Sequence, residues 1–261
     1  MTERRPVALI TGASAGIGWA LAHVFARHGH ELALVARREQ RLEALANEIA
    51  ALGHARPAII PLDLARSDAV ERLTAQLGSL GLEPEAVVNN AGFGLLGRAA
   101  DLSRTEQLAM IDLNVRTVTE LSLAFTDSIE RRRGGILNVA SVAAFLPGPG
   151  MAVYYATKAY VLSFSEALHR ELAPRGIRVT ALCPGPVPTE FQERAGFVRR
   201  SNPALLVRTA EQVAEEGFRG FMQGRRVVIP GHANAAVTVL APLVPHGLLL
   251  KVLDRYNRGR Q

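Results

Sequence analysis

At 261 residues, 48% of them apolar and 21% charged, the chain is long enough to bury a sizeable core and too apolar for low-complexity disorder. Its 30 Lys and Arg exceed its 24 Asp and Glu, for a net charge of +6. The arginines are scattered, with short runs at Arg131-Arg132-Arg133, Arg199-Arg200 and Arg225-Arg226, and no zinc finger, basic arm or aromatic-studded motif points to nucleic acid. The single cysteine, Cys183, excludes an intramolecular disulfide framework, and the 7 dispersed histidines form no tight ligand set, so no metal is expected. Without a signal-peptide-like apolar region near its N-terminus, the chain is expected in the cytoplasm.

A first strand over 7–11 runs into Thr11-Gly-Ala-Ser-Ala-Gly-Ile-Gly18 and a helix over 16–29. Gly12, Gly16 and Gly18, with Ser14 and Ile17 between them, sit where backbone amides and a helix N-terminus can meet a pyrophosphate. The spacing is G-x-x-x-G-x-G rather than the more general G-x-G-x-x-G. The second strand, 31–36, is followed by Arg37 and Arg38, where an NAD-binding domain carries an acidic residue for the ribose hydroxyls. Guanidinium groups pair with a 2′-phosphate, so NADP(H) is expected; the plainer alternative makes them exposed charges opening the next helix.

Helices over 39–51, 68–77, 104–129, 151–173 and 210–222 alternate with strands over 58–62, 86–89, 135–141, 178–183 and 226–230. Capping boxes open two of these helices, at Ser103-x-x-Glu106 and Thr209-x-x-Gln212. The alternation predicts an α/β fold, one parallel sheet wrapped by helices in a single domain over 1–261. Residues 227–250 carry no Asp, Glu, Lys or Arg, but Pro242 and Pro245 interrupt them, so one continuous helix is not expected. This stretch reads as a buried cap or subunit contact, with peripheral membrane attachment as the rival reading.

Tyr154 and Lys158 lie one helical turn apart on a common face. A phenol titrates near pH 10 and becomes a useful acid near neutrality when a cation stabilises its phenolate. Ser141, at the end of the preceding strand, is placed to hydrogen-bond a carbonyl oxygen, and Asn114 falls within the helix before that strand. Singly, each has a bland explanation as a packed, capping or solvated residue.

Their order, together with the glycine turn, Asp63 in Pro-Leu-Asp-Leu, Asn89-Asn-Ala-Gly92, Asn114-Val and Pro184-Gly-Pro-Val-Pro-Thr189, resembles the short-chain dehydrogenase/reductase family over nearly the whole chain, in its NADP-preferring branch. The resemblance implies a Rossmann-type, doubly wound, seven-stranded parallel sheet, with a substrate lid over 188–206 and a C-terminal extension over 231–261. It implies that Tyr154 gives a proton to the carbonyl oxygen as hydride leaves the nicotinamide, and that Ser141 orients that oxygen. Lys158 would bind the nicotinamide ribose and lower the Tyr154 pKa, while Asn114 would hold a water in the proton relay. Asp63, with Leu64 beside it, would meet adenine; Asn90, Ala91 and Gly92 would line the cofactor cleft. Pro184 and Gly185 would edge that cleft, with Val187 and Thr189 at the carboxamide. Tyr155 adjoins Tyr154, but only Tyr154 satisfies both spacings, and Ala140 stands where many relatives have a second serine.

Phe93, Leu95, Phe145, Leu146, Met151, Phe191 and Phe197 make the expected substrate a medium-sized hydrophobic ketone or aldehyde, with Arg199 and Arg200 as exposed lid charges. The resemblance also implies pairing through the helices over 104–129 and 151–173, as a homodimer or homotetramer. The rival functions are a non-catalytic NADP(H)-sensing regulator and a membrane-associated lipid carbonyl reductase.

Overall fold

The computed structural model describes residues 4–197 and 202–260; Arg199, Arg200 and part of the expected lid lie outside the described residues. In chain order the elements are β1 (Arg5–Thr11), α1 (Gly16–Arg27), β2 (Leu32–Ala36), α2 (Glu39–Ala51), β3 (Ala58–Pro61), α3 (Ala69–Ser79), β4 (Leu82–Asn89), α4 (Arg104–Ile111), α5 (Thr117–Ala124), α6 (Thr126–Arg131), β5 (Gly135–Val139), α7 (Ala152–Leu172), β6 (Arg178–Leu182), α8 (Glu190–Ala195), α9 (Ala210–Met222), β7 (Val227–Val228), α10 (His232–Leu240) and α11 (His246–Arg258). The strands form one parallel sheet in the order β3-β2-β1-β4-β5-β6-β7.

Near-continuous apolar runs such as Val7–Ile10 bury both faces of the sheet, as parallel strands between two helical layers require. One layer packs Leu21, Phe25, Phe218 and Phe221 from α1 and α9 against the sheet, with the Phe25 and Phe218 rings edge to face at 4.8 Å. The other packs Leu73, Leu77, Leu121, Leu168 and Leu172 from α3, α5 and α7. The order of connection reverses between β1 and β4, so the loops leaving their carboxyl ends part and open a crevice.

Two departures from the sequence reading have local causes. β4 begins at Leu82, not 86, because a register slip between Val7 and Ala8 lets the strand pass Pro84, which has no amide hydrogen for the ladder. The helix expected over 104–129 is broken by a π turn at Asp112–Arg116. There the Thr117 amide bonds back five residues to the Asp112 carbonyl, and the Thr117 hydroxyl donates to Asp112 O and Leu64 O. As the two prolines led one to expect, the uncharged C-terminal stretch is no continuous helix: it forms α10 and only the start of α11, separated by Pro242 and Pro245. Their inner faces cover the crevice, while Val239, Leu240, Leu243 and Leu248 are exposed. Among the described residues no helix is long and apolar enough to cross a membrane.

Candidate active site

The first end of the crevice is made largely of backbone. Gly16 opens α1 at φ +57°, and a side chain there would press on Thr189 at 2.9 Å. Ala15, the residue before α1, has no side-chain oxygen to cap the helix, so the first amides keep their donor capacity and the positive end of the helix dipole faces the crevice. Thr11 Oγ1 donates to the Val88 carbonyl and accepts from the Asn90 and Ala91 amides, tying the end of β1 to that of β4. Asn90 Nδ2 donates to the carbonyls of Thr11 and Gly12, which makes Asn90 a brace of the glycine turn as well as a wall residue.

Arg38 donates to Ser14 Oγ at 3.1 Å and forms an ion pair at 2.8 Å with Glu190 of α8, while Arg41, stacked on Trp19, donates to Ser14 O. Arg194, also from α8, lies over the Phe93 ring. Desolvation and the neighbouring charges of Arg37 and Arg38 hold its guanidinium below its usual pKa. Arg37, Arg38, Asp63 and Leu64 therefore surround one end of the crevice.

At the other end Ser141 leaves β5 and caps a short 3-10 turn, its Oγ accepting from the Ala143 amide. Tyr154 and Lys158 project from the first turns of α7. Burial pushes the Tyr154 hydroxyl up to about 12, opposed by its hydrogen bond with Ser141 and by the positive charge of Arg260. Lys158 is 6% exposed, donates from Nζ to the Val139 carbonyl at 2.7 Å and lies 6.0 Å from the centre of the Tyr154 ring. Desolvation brings its ammonium down to about 8. Here the Lys158 Nζ is directed to a β5 carbonyl, and burial is the largest influence on the Tyr154 hydroxyl.

A cavity of about 870 Å³ joins the two ends. It brings together Gly12, Ser14, Gly16, Ile17, Arg37, Arg38, Asp63, Leu64, Asn90, Ala91, Gly92, Ser141, Tyr154, Lys158, Pro184, Gly185, Val187 and Thr189. Two expected site residues stand behind its wall. Gly18 is a packing glycine, since a Cβ there would lie 2.4 Å from Gly12 O and from Asn90 Nδ2. Asn114, fully buried in the π turn, clamps the Phe93 backbone through both its amide atoms and donates to Thr157 Oγ1. Of the expected apolar wall, Phe93, Leu95, Leu146, Met151, Phe191 and Phe197 face the cavity, whereas Phe145 packs into the cluster of Val118, Ala140 and Val161.

Sequence reasoning missed Glu190, Arg194, Val237, Leu253, Tyr256 and Arg260, all on the cavity wall. The last four come from α10, α11 and the residues just after them. Asn234 donates to Leu206 O and Pro230 O, Asn257 to Pro149 O, and Tyr256 to Asn202 Oδ1, which fastens this cover over the crevice. Asn234 and Asn257, polar residues at 2% and 1% exposure, were the available signal: a buried amide needs partners on another segment.

A parallel sheet with a glycine-lined, uncapped helix start at its switch point and a Ser–Tyr–Lys cluster beside it defines a dinucleotide-dependent oxidoreductase. Residues 6–196 match the family model described as short chain dehydrogenase, and the chain belongs to that family. It is 39% identical over 217 residues to a sulfoacetaldehyde reductase of Chromohalobacter salexigens, covering 80% of this chain and 85% of the relative. A short-chain dehydrogenase from Sphingobium yanoikuyae in complex with NADPH superposes with a TM-score of 0.81 at 34% identity, over 94% of this chain and 95% of the other. Another, from Burkholderia phymatum in complex with NAD, has a TM-score of 0.80 at 26% identity, over 93% and 95%.

Proposed function

We propose that the protein is an NADP(H)-dependent oxidoreductase that interconverts a ketone or aldehyde and its alcohol, with Tyr154 as the acid/base. The observation that carries this reading is the half-buried Tyr154 phenol, standing with Ser141 and Lys158 on the wall of an apolar chamber continuous with the glycine turn. The cradle suits a dinucleotide: the α1 amides and Gly16 would hold its pyrophosphate, and Arg37 and Arg38, with Ser14 orienting Arg38, would hold a 2′-phosphate. Similar proteins bind NADPH or NAD; the two arginines favour NADP(H) here. When bound, the nicotinamide supplies or accepts the hydride.

The chain's own residues do the rest. With a pKa of about 12, Tyr154 holds its proton throughout the neutral range, ready to donate it to a carbonyl oxygen. Ser141 presents a second hydroxyl to the same oxygen. Lys158 spends one of its three donors on Val139 and keeps the others for the ribose hydroxyls. Asn114 fixes the loop at Phe93 that walls the chamber, and its Oδ1 retains an acceptor site for a relay water.

The substrate wall is mostly apolar, and the segment around α8 acts as the lid. The exposed apolar residues Leu108, Ile111, Leu123 and Tyr160 on α4, α5 and α7 support a homodimer or homotetramer, and the lone buried Cys183 suits the reducing cytoplasm. The test is NADPH consumption against a panel of aldehydes and ketones, sulfoacetaldehyde included. Turnover of one or more is expected; tight NADPH binding without turnover of any would overturn the reading in favour of a cofactor sensor.

A further inference from the structure

We infer that Arg260 is a substrate-anchoring residue, and that the carbonyl compound this chamber takes carries an anionic group, a carboxylate or a sulfonate, at the end away from the reacting carbon. This deepens the proposed function and rests on it.

Arg260 reaches the cavity from just beyond α11, and its guanidinium carbon stands 3.9 Å from the centre of the Phe197 ring and 5.1 Å from that of Tyr256. Two aromatic faces thus desolvate a permanent cation and restrict its plane. Its Nε is enclosed and has no hydrogen-bond partner among the described residues. Two positions earlier, Arg258 is paired with Asp254 at 2.7 Å; Arg260 makes no such pair among the described residues.

The position identifies the ligand. The charge of Arg260 acts on Tyr154 and Tyr155, the phenols at the reacting end, whereas Arg37 and Arg38 act on Arg194. Arg260 therefore belongs to the substrate half of the cavity and not to the phosphate half. The acidic wall residues are Asp63, Glu106 and Glu190; Glu190 is bound to Arg38, while Asp63 and Glu106 act on Arg194. Phe197 and Tyr256, the described wall residues in ring contact with Arg260, carry no negative charge, and no acid among the described residues pairs with it. The best occupant is a carbonyl with an apolar middle and a planar or tripodal oxyanion, which a guanidinium grips through two parallel hydrogen bonds.

The test compares 4-oxobutanoate, 6-oxohexanoate and sulfoacetaldehyde with the methyl esters of the two oxo acids, in the wild type, Arg260→Gln and Arg260→Lys, all saturated with NADPH. At least one anionic aldehyde is expected to exceed the neutral esters in kcat/KM by about 10-fold or more, mainly through KM. That ratio should fall toward one in Arg260→Gln and recover in part in Arg260→Lys. Titration of hexanoate and hexanamide into the complex with oxidised cofactor gives a readout independent of turnover: the acid should bind more tightly in the wild type, and this preference should vanish in Arg260→Gln. Esters turned over as well as the anions, or an anion preference that survives Arg260→Gln, would overturn the assignment and leave the carbonyl-reductase reading standing. Turnover of neither class would overturn both.

Discussion

Around the turn after β1 the crevice is walled by main chain. The Gly16 conformation, the uncapped start of α1 and the Thr11 and Asn90 bonds that hold β1 to β4 present amides to whatever lies there. At the opposite end the wall is side chain, drawn from α8, α10 and α11, and its shape depends on a few asparagine and tyrosine hydrogen bonds between segments far apart in sequence. The first end suits a ligand whose phosphates never vary, because backbone geometry changes little with sequence. The second suits a ligand that varies, because each wall residue can be exchanged separately. Tyr154, Ser141 and Lys158 stand on the boundary, on the sheet and on the long α7 that packs against it.

The sharpest break in that picture would come at the boundary. Tyr154→Phe keeps the ring and its contact with Phe191 but deletes the proton donor, so turnover should fall about a thousand-fold while NADPH affinity changes little. Retained turnover in a stopped-flow assay would remove Tyr154 from the chemistry. Next in size, replacing both Arg37 and Arg38 by Ala should cut the preference for NADPH over NADH on the order of 10- to 100-fold, with no change in the order of preferred carbonyls. A changed carbonyl order would mean that the two ends are not separable.

The last expected effect, on stability rather than turnover, concerns Lys158. Its pKa is about 8 in the folded protein and 10.5 when exposed, so between these values the unfolded chain binds a proton that the folded chain has released. Stability from this group therefore rises with pH across that window and is lowest below it. Lys158→Met removes the buried charge, and its stability relative to the wild type should decline by roughly 2–3 kcal/mol between pH 7 and pH 10. Urea unfolding at the two pH values measures this; an unchanged difference would show that Lys158 is not desolvated.

Legibility in the sequence followed the same division. Strands β1 and β2, the glycine turn and the Tyr154–Lys158 pair depend on neighbours in the chain, where periodicity and glycine spacing carry the information. The break at Asp112–Arg116 did not show, because an extra residue in a helical turn leaves the apolar pattern nearly intact; it is revealed by the Thr117 amide reaching back five residues to the Asp112 carbonyl. The direction of the Lys158 ammonium did not show either. One-turn spacing brings two residues to a common face, but it does not say which way a flexible lysine points, and the Val139 carbonyl decides that. Arg260 was invisible because its surroundings, Phe197 and Tyr256, belong to different segments that meet only in the folded cover.

The fastening of that cover has an evolutionary consequence. α10 and α11 share no strand with the sheet and are moored by amide side chains to loop carbonyls at Pro149, Leu206 and Pro230. A descendant could rebuild this hood, residue by residue or wholesale, without disturbing a single rung of the ladder beneath it. Diversification of what the molecule admits then needs no new solution to how it folds.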